Sequence, residues 1–306
     1  MAAQVSEQGE RLCLVTVHAH PDDEASKGAA TVHRYAGEGV RCVLVCATGG
    51  EEGEILNPAM DRPEIRDNLH SVRMEELRRA TEIIGFHDVV MMGYRDSGMA
   101  DSPANENPDC FARADEAEAV GRLVEVIRRE RPQVVITYPD DQQGYPHPDH
   151  LRVHDISVVA FDAAADPDAY PDAGAAWQPS KLYYSAWTKA RLLALHDKFV
   201  ELGLESPFTE EWLARPGLDA RITTRIEVRP EDDVRDAALL AHATQVDPAS
   251  PFWFGLPPEA ANTYPYDDYI LARSLVDGAA GGPVPEDDLF AGLREPVRPG
   301  AGTGRR

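Results

Sequence analysis

The feature that most constrains the fold is an apolar run that leads directly into a polar motif and then into a helical pattern. Residues 12–17 are typical of a buried strand, and the motif His-Ala-His-Pro-Asp-Asp-Glu follows at residues 18–24. A helix is predicted over residues 25–38 and a second buried strand over residues 40–46. This order predicts two parallel strands joined by a right-handed crossover. The motif is therefore expected at the edge of an open α/β sheet, where binding sites are usually built.

The alternation of strand and helix patterns continues along the chain. Further strands are predicted at residues 89–92, 133–137, 181–186 and 221–228. Helices are predicted at residues 63–85, 117–131, 149–165, 189–202 and 230–244, with a last short one at 270–276. From residue 278 onward Gly and Pro accumulate, and residues 294–306 are expected to be disordered.

Composition limits the classes of partner. Of the 306 residues 43% are hydrophobic, which is enough for a sizeable core, and the net charge of -23 disfavours nucleic acid and anionic membranes as partners. No run approaches the ~18 consecutive apolar residues of a membrane span, and the N-terminus lacks the apolar core of a signal peptide. We therefore expect a cytoplasmic protein with no nucleic-acid or membrane partner, and its oligomeric state is not predicted.

Neither cysteine chemistry nor nucleotide binding finds support in the sequence. Cys13, Cys42, Cys46 and Cys110 are expected to be small buried side chains in a reducing compartment, and none is expected to bind a metal. No Gly-x-Gly-x-x-Gly fingerprint follows the first strand, which argues against a dinucleotide site.

Two histidine-containing clusters instead predict a metal site. His20 and Asp23 can reach one ion from two sides of a tight turn, and the cluster Tyr-Pro-His-Pro-Asp-His at residues 145–150 offers a third ligand. Three protein ligands and one water are the pattern of a catalytic zinc site. By itself, His-Pro-Asp-Asp is also compatible with a helix cap, because Asp near a helix start satisfies free N–H groups. The presence of two clusters favours a metal, whereas His18 is more simply explained as a strand-end histidine.

The residues beside these ligands suit the hydrolysis of an amide. Asp22 can face the metal-bound water and remove its proton as the general base. His147 as an imidazolium and Tyr145 through its hydroxyl are candidates to stabilise the oxyanion that develops during attack. Asp149 is expected to fix the orientation of a histidine ring.

With these motifs the chain resembles the LmbE-like (PIG-L) family of zinc-dependent de-N-acetylases. Ala-His-Pro-Asp-Asp-Glu and His-Pro-Asp-His mark that family, and they stand here at residues 19–24 and 147–150. Further matching stretches lie at residues 26–30, 53–61, 96–98, 180–184 and 242–245. The resemblance implies a Rossmann-like, mostly parallel sheet flanked by helices in residues 1–178. It further implies a smaller C-terminal α+β portion, residues 179–293, that completes the active-site cleft ahead of the tail.

The resemblance also implies roles for individual residues. One zinc ion per chain, with Fe2+ as the alternative, is expected on His20, Asp23 and His150. Asp22 is implied as the base, and His147 and Tyr145 as the groups that stabilise the transition state. The implied substrate-binding residues are Lys27, Arg73, Asp96, Glu51 and Gln245, of which Arg73 and Asp96 match positions that hold a sugar–inositol group.

The small-molecule substrate implied by the longer matching stretches is an S-conjugate of the thiol mycothiol. Cleavage of its amide would give a mercapturic acid and glucosaminyl-inositol, as part of detoxification. Lys27 supports this expectation, because the related deacetylase has serine there. Deacetylation of N-acetylglucosaminyl-inositol in mycothiol biosynthesis is the alternative, and a metal-binding protein without turnover is another. The loop at residues 139–144 is one residue longer than is usual in the family, which leaves the fine substrate preference open.

Overall fold

A computed structural model describes residues 4, 9, 11–142, 144–228, 233–260, 263–276 and 285–294. Its strands are β1 (Cys13–His18), β2 (Arg41–Thr48), β3 (Asp88–Tyr94), β4 (Val134–Thr137), β5 (Lys181–Ala186), β6 (Thr224–Glu227) and β7 (Tyr266–Ser274). Its helices are α1 (Asp23–Ser26), α2 (Ala29–Glu38), α3 (Pro63–Arg66), α4 (Leu69–Ile84), α5 (Glu116–Glu130), α6 (Pro148–Ala163), α7 (Lys189–Glu201), α8 (Glu210–Ala214), α9 (Val234–Ala241) and α10 (Pro251–Phe254). Short 3-10 turns lie at Pro103–Glu106, Phe111–Arg113, Pro171–Ala173, Asp219–Arg221 and Pro258–Ala260.

All seven strands form one sheet in the order β3-β2-β1-β4-β5-β7-β6. The strands from β3 to β5 in this order run parallel, and β7 is antiparallel to both of its neighbours. The predicted α/β class with a mostly parallel sheet is therefore confirmed. Strands on both sides of residue 178 belong to this one sheet, and the proposed division of the chain there stays a prediction.

Two apolar layers cover the two faces of the sheet. Successive side chains of a strand point to opposite faces, so Val15 joins the layer under α5 and α6 while Leu14 joins the layer under α2, α4 and α9. All six residues of β1 are buried. A strand covered on both faces has a continuous apolar sequence, which explains why the run at residues 12–17 was such a clear signal.

One predicted helix is wrong. Residues 270–276 were expected to form a short helix, but Ile270 and its neighbours up to Ser274 belong to β7, which pairs with both β5 and β6. Asp267 and Asp268 are buried in this strand, where they accept hydrogen bonds from the hydroxyls of Thr31 and Thr188. These two acids interrupt the apolar pattern that would indicate a strand. The strands that pair with β7 also lie far away in the sequence.

Two other predicted helices are interrupted. The helix expected over residues 25–38 is divided into α1 and α2 at Gly28, which has a φ of 102°. A Cβ at Gly28 would come within 2.7 Å of the Tyr269 hydroxyl oxygen, so the chain needs glycine at this point. The helix expected over residues 63–85 is α3 followed by α4.

The C-terminal expectations are tested only in part. The helix predicted at residues 230–244 begins at Val234, and its first three positions lie outside the described residues. Most of the predicted tail, residues 295–306, also lies outside them. Arg294 itself is buried and pairs with Glu38 and Asp288 at 2.8 and 3.1 Å.

The cysteines are placed as the sequence predicts. All four cysteines are free and buried. None of the helices within the described ranges has the length and apolar character needed to cross a bilayer.

The topology creates a crevice at the carboxyl edge of the sheet. β1 lies between β2 and β4, so the chain leaves β1 toward one side and leaves β4 toward the other. Such a switch point in strand order is where open α/β sheets bind ligands. The loops that follow β1, β2, β3 and β4 all begin at this edge. The loops after β1 and β4 carry the two histidine clusters.

Candidate active site

Three buried side chains meet at this edge. His20 follows β1, Asp23 begins α1, and His150 lies in the first turn of α6. One ligand atom from each lies within 4.8 Å of the others. The Asp23 Oδ2 atom is 3.5 Å from His20 Nδ1 and 3.3 Å from His150 Nε2. Two imidazole nitrogens and one carboxylate oxygen are a donor set that zinc accepts, so these residues fit a metal.

Asp149 determines which nitrogen of His20 faces that group. His20 Nε2 is 3.2 Å from Asp149 Oδ2, and Ser97 donates hydrogen bonds to both carboxylate oxygens through its amide and its hydroxyl. With Nε2 engaged by Asp149, Nδ1 is the nitrogen that faces Asp23 and would be available to a metal. A carboxylate behind a ligating histidine is a common way to fix the ring and its tautomer.

A second possible metal group shares His20. It consists of His20, Asp96, His147 and Asp149. Here His20 would have to use Nε2, the nitrogen that already contacts Asp149. The group of His20, Asp23 and His150 uses the other nitrogen of His20, and it stays the predicted metal site.

The charges around Asp23 favour its ionised form. The Lys27 ammonium is 2.5 Å from Oδ1, and the Tyr138 hydroxyl donates to Oδ2 at 2.7 Å. Burial opposes ionisation, but Lys27 and His150 hold the pKa of Asp23 well below its usual value. Asp23 is therefore a carboxylate throughout the neutral range, as a metal ligand must be.

The two candidate histidine ligands differ in protonation. Burial lowers the pKa of His150 to about 4, and its ring stacks on Tyr138 with centroids 4.3 Å apart. Burial also opposes the charged form of His20, but hydrogen bonds to Asp149, Asp23 and Asp96 raise its pKa well above 6.5. A metal would therefore displace a proton from His20 and none from His150.

Asp22 stands beside this group in a strained conformation. Its φ is 107°, in the region that favours glycine, and its side chain is 30% exposed. Arg73 donates to the Pro21 carbonyl at 2.5 Å and to Asp22 Oδ2 at 3.0 Å. Burial raises the pKa of Asp22 against the opposing charge of Arg73, and a raised pKa suits a general base.

Arg73 is buried beside Asp22 and forms hydrogen bonds to the backbone of the site. It is 2% exposed, and besides Pro21 and Asp22 it donates to the Gly50 carbonyl. A Cβ at Gly50 would approach the guanidinium to within 2.2 Å, which explains the glycine there. The hydrogen bonds of Arg73 are thus made to the chain itself, and direct contact with substrate stays a prediction.

His147 and Tyr145 stand on the other side of His20 and His150. The ring centroids of His147 and His20 are 4.5 Å apart, and those of Tyr145 and His150 are 5.3 Å apart. Burial and the nearby charge of His20 lower the pKa of His147, which disfavours the imidazolium assumed from the sequence. Its Nδ1 accepts from the Asp149 amide at 3.2 Å, so a neutral ring carries its proton on Nε2 and still offers a donor. Tyr145 is 54% exposed.

The candidate substrate residues divide into two groups. Asp96 lies 3.5 Å from His20 Nε2, and Glu51 accepts from the Asp96 amide at 3.0 Å. Gln245 approaches the loop after β2 that also carries Glu51, because a Cβ at Gly53 would lie 2.7 Å from its Oε1. Lys27 instead contacts Asp23 in the candidate metal group.

The longer loop at residues 139–144 is attached to the C-terminal half. Asp140 pairs with Arg221 at 2.7 Å, and Arg215 donates to the Gly144 carbonyl at 3.2 Å. The negative charge of Asp140 is therefore paired with a cation from the C-terminal half.

Sequence reasoning missed several residues that support the site. Glu24 and His242 form a buried pair with a 2.6 Å contact, Tyr138 contacts Asp23, and Ser97 holds Asp149. Glu24 is the last residue of the first motif and Tyr138 directly follows β4, so their positions were available as signals. His18, expected to be a strand-end histidine, is buried with its ring 5.7 Å from that of Tyr138 and belongs to neither metal group.

Comparison with known proteins identifies the family. Residues 15–161 match the family described as PIG-L: GlcNAc-PI de-N-acetylase. The chain is 45% identical over 297 residues to the mycothiol S-conjugate amidase of Streptomyces coelicolor, covering 94% of this chain and 99% of that protein. It is 41% identical over 293 residues to a 1D-myo-inositol 2-acetamido-2-deoxy-alpha-D-glucopyranoside deacetylase of Geodermatophilus obscurus, covering 92% and 97%.

Solved structures share the fold at low sequence identity. The N,N'-diacetylchitobiose deacetylase of Pyrococcus horikoshii matches with a TM-score of 0.58 at 14% identity, covering 85% of this chain and 83% of that one. The 4-carboxy-2-hydroxymuconate hydratase of Pseudomonas putida matches with a TM-score of 0.57 at 17% identity, covering 88% and 100%. Since a hydratase has this fold too, the reaction class follows from the sequence relatives. The chain belongs to the GlcNAc-PI de-N-acetylase (PIG-L) family, and it is a hydrolase of amide bonds.

Proposed function

We propose that this protein is a zinc-dependent amidase that hydrolyses mycothiol S-conjugates to a mercapturic acid and glucosaminyl-inositol. The observation that carries the choice of substrate is Lys27, whose ammonium lies 2.5 Å from Asp23 in the candidate metal group. The identity of 45% to a named amidase supports the same choice, although relatives named as deacetylases follow at 41%. Deacetylation of N-acetylglucosaminyl-inositol is therefore the alternative function.

The residues of the chain supply most of the steps that amide hydrolysis needs. Zinc bound by His20, Asp23 and His150 would make a bound water acidic and polarise the carbonyl group of the substrate. Asp22 accepts the proton of the attacking water, and its raised pKa allows it to pass that proton to the leaving amine. The Nε2–H of His147 and the hydroxyl of Tyr145 donate to the oxygen that becomes negative during attack.

Lys27 places a positive charge on Asp23, whereas Asp96 contacts His20 and Glu51. Burial opposes that charge, but Asp23 raises the pKa of Lys27, so the ammonium persists at neutral pH. If Asp96 and Glu51 hold the sugar–inositol side of the amide, Lys27 is left to contact the acyl side. The acyl side is a substituted N-acetylcysteine in a mycothiol conjugate and only an acetyl group in the alternative substrate.

The deciding experiment compares the two substrates on zinc-loaded protein. Hydrolysis of a mycothiol bimane conjugate and of N-acetylglucosaminyl-inositol would be measured together with the metal content. We expect about one metal per chain and a higher kcat/KM for the conjugate. A higher kcat/KM for deacetylation would assign the alternative function. Metal without turnover of either substrate would favour a metal-binding protein, and neither metal nor turnover after zinc addition would contradict the assignment of both histidine clusters.

A further inference from the structure

Two residues hold the strained Asp22. Arg73 contacts its side chain, and Glu24 contacts its backbone amide. The amide of Asp22 donates to Glu24 Oε2 at 2.9 Å. The other oxygen of the same carboxylate, Oε1, lies 2.6 Å from His242 Nε2. Glu24 therefore connects the backbone of Asp22 to a histidine 218 residues further along the chain.

This connection is fully enclosed and its far end is rigid. Both side chains of the pair have no exposed surface. His242 is fixed by its own backbone, which donates to Leu239 at 3.1 Å and accepts from Gln245 and Val246 at 2.9 and 3.0 Å. The turn is also tied to α4, because Glu76 accepts from the amide and the hydroxyl of Thr244 at 2.8 and 2.7 Å.

The chemistry of the pair requires a particular arrangement of protons. An ionised carboxylate only accepts hydrogen bonds, and Glu24 uses one oxygen for the Asp22 amide. His242 must then donate from Nε2 to the other oxygen. If that donor is lost, a buried carboxylate oxygen is left without a partner, which is costly enough to make Glu24 move. Movement of Glu24 would remove the acceptor of the Asp22 amide, which is one of the contacts that hold this residue at its φ of 107°.

We propose that Glu24 and His242 are positioning residues that hold Asp22 in the orientation needed for proton transfer. The inference rests on the proposed function only in taking Asp22 as the base. It makes the turn at residues 242–246 part of the catalytic apparatus, because His242 in that turn contacts Glu24 and Glu24 contacts the Asp22 amide.

The test uses three variants of the zinc-loaded full chain. His242→Ala removes the donor, whereas His242→Gln retains a side-chain N–H group that can reach Glu24. Thr31→Val is the matched control, because it removes another buried hydrogen bond across the molecule, the 2.8 Å contact between Thr31 and Asp267. The assay uses whichever amide substrate the wild type cleaves faster.

We expect His242→Ala to lower kcat by about 10- to 100-fold with little change in KM or zinc content, as misplacement of a catalytic group by ~1 Å does. His242→Gln should recover most of that loss, and Thr31→Val should stay within about twofold of wild type in kcat. An equal loss in His242→Ala and Thr31→Val, or a loss of zinc in step with activity, would show a merely structural role and overturn the proposal.

A double variant separates positioning of Asp22 from general damage. In an Asp22→Asn background His242→Ala should lower the remaining rate by less than about twofold, since residues that act as a unit are not additive. A full 10-fold further loss there would contradict the proposal. If Asp22→Asn itself is fully active, the assignment of the base has failed, which is a different result. Should His242→Ala not fold, His242→Leu, which also lacks the donor but fills more of the buried space, takes its place in both backgrounds.

Discussion

Asp22 concentrates most of the unusual features of the site in one residue. Its positive φ costs about 1–3 kcal/mol, which the surrounding hydrogen bonds must offset. Asp22→Asn keeps the shape of the side chain and removes its basicity, so we expect kcat to fall about 100- to 10,000-fold with one zinc retained per chain. Steady-state kinetics alongside metal analysis would check this. A rate within twofold of wild type would exclude Asp22 as the base.

Lys27 gives the residue-scale test of substrate choice. Lys27→Ala removes the ammonium from Asp23 and leaves the two histidine ligands and Asp22 unsubstituted. We expect kcat/KM to fall at least about tenfold further for the mycothiol conjugate than for deacetylation, because a charged hydrogen bond to the acyl side is worth ~1.5–3 kcal/mol. Measuring the ratio of the two substrates on one preparation cancels any loss of metal. An unchanged ratio would remove Lys27 as the determinant of specificity.

At the residue scale the sequence was informative where motifs follow strands. The sequence alone predicts that His20, Asp23 and His150 lie close together, because β1 and β4 end at the same edge of a parallel sheet. The pairing of Glu24 with His242 could not be predicted, since it depends on how α9 packs across α1 and no periodicity reports that. The protonation of His147 was also beyond the sequence, because it depends on burial and on the charge of His20.

The break between α1 and α2 is an element-scale feature with a measurable cost. Gly28→Ala would force a Cβ into a positive φ and to within 2.7 Å of the Tyr269 hydroxyl oxygen. We expect it to lower the free energy of unfolding by about 1–3 kcal/mol. Gly37→Ala is the control within α2, where nothing lies within 4 Å, and it should raise that free energy by about 0.5–1 kcal/mol. Urea unfolding of both variants decides the matter, and a Gly28→Ala protein as stable as wild type would refute the packing argument.

Elements were predictable where local pattern and global environment agree. β1, β2, β4 and β5 are covered on both faces, and their apolar runs gave their positions to within two residues. The chain around Gly28 reads as one helix because Ala and polar residues continue through it, and only the close approach of Tyr269 explains the break. β7 was missed because its strand character comes from its two neighbours, while its own sequence carries two buried acids.

At the scale of the whole molecule, a metal would join the loop after β1 to the start of α6. Metal that binds only the folded chain stabilises it by about 2.7 kcal/mol at a free concentration of 100 times Kd. The size of this effect must depend on pH, because the metal displaces the proton of His20. With a folded pKa raised above 6.5, His20 stabilises the metal-free protein fully below pH 6.5, and that contribution is lost as the pH rises through the folded pKa.

Loss of the His20 proton therefore has two consequences, and both make the stabilisation by zinc larger at higher pH. As the pH rises from about 5.5 to 8, the metal-free protein loses stability while zinc binds more tightly, so the increase in Tm on adding zinc should grow. His150, with a pKa of about 4, is already neutral over this range and adds nothing to the slope. One displaced proton means that the apparent affinity for zinc rises no more than about tenfold per pH unit. Chelator competition and thermal unfolding at matched pH values would measure both quantities. An increase in Tm that is independent of pH would show that His20 is not protonated in the metal-free protein, and a slope of two protons would show that His150 is also charged.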